Sequence, residues 1–362
     1  MKVLVSGGGT GGHIYPALAL IRHLEREENA EFLYIGTEKG LEASIVPKAG
    51  VPFKSVHITG FRRKISFENV KTIARFVKAT RTAKKYISDF NPDVVIGTGG
   101  YVCGPVVFAA ARAGIPTIVH EQNSVPGLTN KFLSKYVDKV AVSFEEAAQY
   151  FPKDKVVFTG NPRASEVAEH KSDHSSLAAL GLSENKPTVL IVGGSRGAKP
   201  INEAVMAAFQ DWKEESFQVV YVTGEVHYEE IADKMAGVSS NNIKTVSYID
   251  DMPALLKEVH LVIARAGATT LAEITALGLP SILVPSPHVT NNHQFKNASA
   301  LVDKGAAILL EENELTAELL TASIRSGLDK NNQIKMKEKA FEAGVPEAAA
   351  LLSREMKALK KG

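Results

Sequence analysis

The sequence predicts an α/β protein built from two doubly wound parallel-sheet domains. Three observations predict it. Each half opens with a short apolar strand that runs into a glycine-rich loop, Lys2–Ser6 before Gly7–His13 and Thr188–Val192 before Gly193–Ala198. Each half also holds a later strand with a second small-residue loop, Asp93–Ile96 before Gly97–Pro105 and Leu261–Ala264 before Ala266–Thr270. Between them, short buried-strand patterns alternate with helical periodicity, the order of βαβ units. At 362 residues the chain exceeds the usual size of one core, so two domains are expected.

In the first half, Pro16 begins a helix pattern through Leu24, and Glu31–Gly36 is the second strand. Gly7, Gly9 and Gly12 match the dinucleotide fingerprint, with Glu38 where an acidic ribose partner would stand. Pro52–Thr59 is a short strand. A loop, Gly60-Phe61-Arg62-Arg63-Lys64-Ile65, and a helix from about Ser66 to Ser88 follow it. Glu68 is the only acid between Phe61 and Lys85, so this region reads either as a surface for anionic lipid or as a core-facing helix with a solvated basic face. Pro116–Val119 ends in the polar cluster His120-Glu121-Gln122-Asn123, at the strand end where open α/β sheets bind ligands. Val137–Ser143 and Lys155–Thr159 complete the first sheet, and Gly160-Asn161-Pro162 is its exit.

Polar residues from Arg163 to Pro187 read as a linker and the lead-in to the second domain. Gln218–Thr223 and Ile243–Ser247 are further strands. The stretch from His260 to Pro287 is the most informative, giving a strand, a small-residue turn, a helix from Leu271 to Leu277 stopped by Gly278 and Pro280, and a strand Ser281–Val284. A tight turn into a helix presents free backbone N–H groups and the positive end of the helix dipole, which suits a phosphate. Glu273, further along that helix, suits a ribose diol. Three helices close the chain: Leu315–Gly327, Asn331–Ala343 and Glu347–Lys360.

Composition excludes several classes. The 44% hydrophobic and 23% charged content are those of a soluble globular protein, and a net charge of +2 gives no global attraction to nucleic acid. The single cysteine, Cys103, excludes an internal disulfide and fits a reducing compartment. The N-terminal apolar run is too short for a signal peptide, and no run approaches the roughly 20 residues that span a bilayer. A cytoplasmic protein that touches a membrane surface is expected.

The motifs GGGTGGHIYPA (7–17), GTGGYVCGP (97–105), HEQNSVPGLTN (120–130), GGSRGA (193–198), and Arg265–Glu273 with Gln294, taken in order, resemble the MurG family of glycosyltransferase family 28. That resemblance implies a GT-B fold whose loops at the strand C-termini face one another across a cleft. It implies an N-terminal domain of residues 1–162 plus about 345–362 facing acceptor and membrane, and a C-terminal domain of 163–344 holding UDP-GlcNAc. The implied reaction is inverting transfer of GlcNAc to the C4 hydroxyl of MurNAc in undecaprenyl-diphospho-MurNAc-pentapeptide (lipid I), giving lipid II at the cytoplasmic face of the membrane. No cofactor is implied. The implied partners are the two substrates, an anionic membrane surface through the Phe61–Lys85 region, and other cell-wall synthesis proteins, with no nucleic acid.

Carried over by motif, Thr10, Gly11 and Gly12 border the sugar and phosphates, Asn123 faces the transferred sugar, and Ser195 contacts the diphosphate. Ile249 reads the uracil through its backbone, Arg265, Ala268 and Thr269 belong to the turn around the nucleotide, Glu273 takes the ribose, and Gln294 takes the GlcNAc hydroxyls. No DxD motif is present, and the adjacent Asp250-Asp251 reads as a helix cap, so no metal site is expected and backbone amides at the turns are expected to stabilise the leaving diphosphate. His13 is the candidate base, with His120 and Glu121 in reserve. The competing reading, an NAD-dependent oxidoreductase on the first glycine loop, leaves the Ser195 and Thr269 loops without a use.

Overall fold

A computed structural model describes residues 1–60, 67–173, 175–194, 197–235 and 240–360, and for 67–70 the backbone only. The chain divides into two compact units, Met1–Glu166 with Glu347–Gly362, and Val167–Pro346.

The first unit is a wholly parallel sheet of β1 (Lys2–Ser6), β2 (Glu31–Thr37), β3 (Phe53–Val56), β4 (Val94–Gly97), β5 (Thr117–Glu121), β6 (Lys139–Val142) and β7 (Val156–Phe158), in the order β3-β2-β1-β4-β5-β6-β7. Helices α1 (Gly11–Glu27), α2 (Glu42–Lys48), α3 (Phe67–Phe90), α4 (Cys103–Arg112) and α5 (Leu128–Leu133) connect these strands. Side chains alternate between the faces. Leu4 enters a core with Val106 and Val119, while Val3 and Val5 enter another with Leu18 and Ile21. Both faces are dry, as a parallel sheet requires.

The second unit follows α6 (Pro162–Glu169), within which the division falls, and the short α7 (Ser176–Ala179). Its strands are β8 (Thr188–Val192), β9 (Gln218–Val222), β10 (Ile243–Val246), β11 (Leu261–Ala264), β12 (Ser281–Leu283) and β13 (Ala307–Leu309), parallel in the order β10-β9-β8-β11-β12-β13. The helices are α8 (Lys199–Ala208), α9 (Tyr228–Met235), α10 (Met252–Leu256), α11 (Ala268–Ala276), α12 (His293–Val302), α13 (Ala317–Leu328) and α14 (Lys330–Ala343). The last helix, α15 (Ala348–Lys360), belongs to the first unit, where Leu352 and Met356 join the core beside α1.

In each sheet the strand order reverses once, between β1 and β4 and between β8 and β11. The paired strands end level, Ser6 beside Gly97 and Val192 beside Ala264. Each pair of small-residue loops therefore leaves its sheet at the switch point, where open α/β sheets bind ligands.

Three elements differ from the sequence expectation. Helix α1 begins at Gly11, ahead of Pro16, which lies inside the helix and there gives up the bond to the carbonyl of Gly12. Helix α11 begins at Ala268 instead of Leu271, with Leu271 N–H donating to Gly267 O at 3.0 Å. The stretch read as a linker begins with α6, which Pro162 can start and whose Ala164 and Val167 are buried.

Candidate active site

In the first unit the two loops at the switch point are pressed together. Gly8 N–H donates to Gly99 O at 3.2 Å, and a Cβ on Gly100 would stand 2.3 Å from Gly8 O, with Gly100 itself at φ +85°. Only glycine tolerates both conditions. Cys103 ties the loops to the strand ends, its thiol donating to Ser6 O at 2.9 Å, and burial pushes its pKa up to about 12. The only cysteine is thus a buried structural group.

Sequence reasoning missed Glu42. Its side chain is fully buried and accepts from Gly9 N–H at 3.0 Å, Thr37 N–H at 3.0 Å and Thr37 Oγ1 at 2.6 Å. Burial alone would raise its pKa, but these donors outweigh it and hold the carboxyl below the usual range. An ionised carboxylate thus clamps the underside of the first loop, leaving Gly9 and Thr10 exposed above it.

His13 lies in the first turn of α1, partly exposed, with Nδ1 2.8 Å from Gly8 O and 3.3 Å from Thr10 Oγ1. A carbonyl brings no proton, so Nδ1 carries it and the lone pair of the neutral ring falls on Nε2. Gly99 makes room for that ring, since a Cβ there would stand 2.6 Å from His13 Cδ2. No acid occupies the first turn of α1.

The β5 cluster is buried. His120 is wholly inaccessible, its Nε2 donating to Gly160 O at 2.9 Å and its Nδ1 accepting from Gln122 Nε2 at 3.0 Å. Burial lowers its pKa to about 4. Glu121 accepts from Asn123 N–H at 3.1 Å, Gly127 N–H at 3.2 Å and Asn130 Nδ2 at 2.8 Å. Both reserve candidates are therefore committed to shaping the loop. They bring Asn123, whose Nδ2 also donates to Glu121 at 3.2 Å, to a half-exposed position.

In the second unit, Ser195 and its neighbour Arg196 lie outside the described residues. Around them, Gly197 sits at φ +71° where a Cβ would meet Thr223 O at 2.2 Å, and α8 follows with Pro200 in its first turn. Across the switch point, Arg265 pairs with Glu312 and donates to Val284 O at 3.0 Å, so its guanidinium braces the ends of neighbouring strands. Gly267 is an N-cap without a side chain, and Ala268 and Thr269 open α11. Thr269 Oγ1 is buried without a hydrogen-bond partner in this first turn.

Asn297, also missed from the sequence, is fully buried and donates to Ala266 O at 3.3 Å, fastening α12 to the turn. Gln294 on the same helix accepts from Ser286 N–H at 2.8 Å, which fixes its amide. Glu273 is half-buried on α11, and Ile249 is half-buried just before α10. Asp251 caps α10 by accepting from Ala254 N–H at 3.0 Å, as the adjacent-aspartate reading expects. Among the described residues, no group of three His, Cys, Asp or Glu side chains is placed to hold a metal ion.

Residues 3–142 match the glycosyltransferase family 28 N-terminal domain and residues 188–352 its C-terminal domain. The chain is 59% identical, over the full length of both chains, to the UDP-N-acetylglucosamine--N-acetylmuramyl-(pentapeptide) pyrophosphoryl-undecaprenol N-acetylglucosamine transferase of Bacillus cytotoxicus. It is 58% identical, again over both full lengths, to the enzyme of the same name from Halalkalibacterium halodurans. A crystal structure of MurG from Acinetobacter baumannii matches with a TM-score of 0.79 and 29% identity, covering 100% of this chain and 99% of that one. With its two parallel-sheet units and their paired switch-point loops, the chain belongs to glycosyltransferase family 28, in the MurG group of N-acetylglucosamine transferases.

Proposed function

We propose that the chain moves GlcNAc from UDP-GlcNAc to the C4 hydroxyl of MurNAc in undecaprenyl-diphospho-MurNAc-pentapeptide, with inversion at the anomeric carbon. One observation carries the mechanism: each unit offers amide-rich helix heads at its switch point, and in the first an imidazole whose tautomer is set by a backbone carbonyl stands at the glycine loop. The second unit holds the donor. In this reading the backbone N–H groups opening α11 and the Thr269 hydroxyl meet the diphosphate, Ser195 contacts it as the family motif implies, and Ile249, Glu273 and Gln294 take the uracil, ribose and GlcNAc. The first unit takes the acceptor, with Thr10, Gly11, Gly12 and Asn123 at the transferred sugar and phosphates.

Charge dictates the chemistry. The acceptor oxygen attacks the anomeric carbon as its proton passes to His13 Nε2. The C1–O bond breaks, and its electron pair stays on the β-phosphate oxygen of UDP. Preorganised N–H dipoles stabilise that developing charge without reorganising. His120 and Glu121 hold the Asn123 loop in place and take no proton. A coupled assay of UDP release tests this reading. Release is expected only when UDP-GlcNAc and a lipid I analogue are both present, and it persists in a chelator. Loss of turnover on chelation, or release with NADH-dependent chemistry instead, overturns it.

The enzyme works at the cytoplasmic face of the membrane, held peripherally. No helix among the described residues is long and apolar enough to cross a bilayer. Helix α3 buries Thr72, Ala79, Ala83 and Ile87 yet exposes Ile73 and Val77 at 54% and 45%, among Lys71, Lys78, Arg81, Lys84 and Lys85. It has both a core stripe and an apolar strip set in cations, which supports adsorption to anionic lipid. Arg62, Arg63 and Lys64 lie outside the described residues. Exchanging Lys71, Lys78 and Arg81 for glutamate is expected to release the protein from anionic vesicles, each charge contributing about 1 kcal/mol. Unchanged binding to those vesicles would move the membrane surface elsewhere.

A further inference from the structure

We propose that an apolar cavity in the first unit receives the first isoprene units of the acceptor's lipid chain, drawing them out of the bilayer during transfer. The proposal rests on the reading that this unit takes a prenyl-diphosphate-linked acceptor. The cavity, of about 540 Å³, is lined by Ile58, Ile73, Phe76, Tyr101, Leu128 and Phe132, with no charged residue on its wall among the described residues. That volume falls among sites that enclose a single small ligand. A face that only adsorbs to a bilayer needs no such concavity.

Its floor is aromatic, Phe76 packing edge-on against Phe132 at 6.0 Å and tilted against Phe108 at 6.1 Å. Its wall is kept bare at Gly104, where a Cβ would stand 3.1 Å from Phe76 Cε2. Leu128, 75% exposed, and Ile73 stand at the cavity as solvent-facing apolar groups continuous with a lipid surface.

The cavity is joined to the reaction site through Tyr101. That ring lies 3.9 Å from where a Cβ on Gly9 would be and 3.5 Å from one on Gly60, so it spans the first glycine loop and the cavity wall. Gly104 lies in the first turn of α4, which directly follows the second glycine loop. Arg75 donates to Thr59, another lining residue, at 3.0 Å, which places a guanidinium at the cavity's polar edge. An anionic head at the glycine loops with an apolar tail crossing Tyr101 matches this order of surfaces. A methyl-branched, uncharged chain is the ligand such a lining recognises.

The test uses acceptors with one common head and one to four isoprene units, assayed as monomers with UDP-GlcNAc. With the native protein, acceptor KM is expected to fall at least tenfold for each of the first added units and then level off, since each buried methylene is worth about fourfold in affinity. Thr129, whose methyl faces Gly104 at 3.8 Å from its would-be Cβ, is changed to tryptophan to fill the space. T129W is expected to raise KM at least tenfold for the longest acceptor. KM for UDP-GlcNAc and binding to phosphatidylglycerol vesicles should stay unchanged, and the one-unit acceptor, with the least chain to bury, should show the smallest rise in KM. T129V, which preserves volume, should keep the native dependence. A native KM indifferent to chain length overturns the proposal without any variant. A T129W effect matched by equal loss of vesicle binding also overturns it, since the region would then be membrane surface only. If no acceptor of the series is glycosylated, the reading of the acceptor itself falls.

Discussion

The switch points of the two sheets share a backbone plan but differ in what they carry. In the first unit, Gly8 and Gly100 pack without room for a methyl group, Glu42 clamps the loop from beneath, and an imidazole stands over it. In the second, the Arg265 guanidinium is turned back onto Glu312 and Val284, and the head of α11 is left to amides and a threonine hydroxyl. The first plan holds a titratable group in one tautomer, whereas in the second the described residues that open α11 offer backbone amides and a hydroxyl to an anion. In the function proposed above, one site moves a proton and the other grips an anion, and each can be broken separately.

The largest expected effect is at His13. If His13 is the base proposed here, its change to alanine removes general-base assistance, typically 10²- to 10⁴-fold. We expect kcat to fall within that range while UDP affinity, measured by calorimetry, changes less than threefold. Equal losses in both would mean that the ring positions substrate instead of accepting the proton.

The β5 cluster yields the next effect, on stability. His120 has a folded pKa of about 4, below the ordinary histidine value near 6.5, because burial disfavours its charged form. The unfolded chain therefore binds the proton first as pH falls. The contribution is complete above about pH 6.5 and is lost towards pH 4, amounting to about 3 kcal/mol. Denaturant midpoints across that window should show the loss, and H120Q should flatten it. A window unchanged in H120Q would show that other groups govern acid stability.

Much of this was legible because the informative pieces are local. Apolar runs ending in glycines gave the strands and the loops at their ends, and the adjacent pair Asp250-Asp251 read as a cap, which Asp251 provides. Other features depend on contacts distant in sequence. Glu42 meets Gly9 from 33 residues away, and Asn297 meets Ala266 from 31. Neither spacing has a periodic signal. His120 and Glu121 look reactive in sequence, because a polar run at a strand end resembles a site until burial and hydrogen-bond partners are known. The starts of α1 and α11 were placed late, since small residues read as turns although their amides already lie within the helices.

The smallest effect lies in the second unit and completes the comparison. If α11 grips the donor by its dipole and Glu273 only adds hydrogen bonds to the ribose, Glu273→Ala removes binding made equally in ground and transition states. Hydrogen bonds to a charged group contribute about 1.5–3 kcal/mol. The expected outcome is a donor KM raised roughly 10- to 100-fold with kcat within threefold, since uniform binding changes KM alone. Glu273→Gln, which keeps an acceptor oxygen, should recover part of the loss. UDP-glucose and UDP-GlcNAc should be weakened alike, because the ribose is common to both. A fall in kcat as large as the one expected for H13A would place Glu273 in the chemical step, and the division of labour between the two switch points would no longer stand.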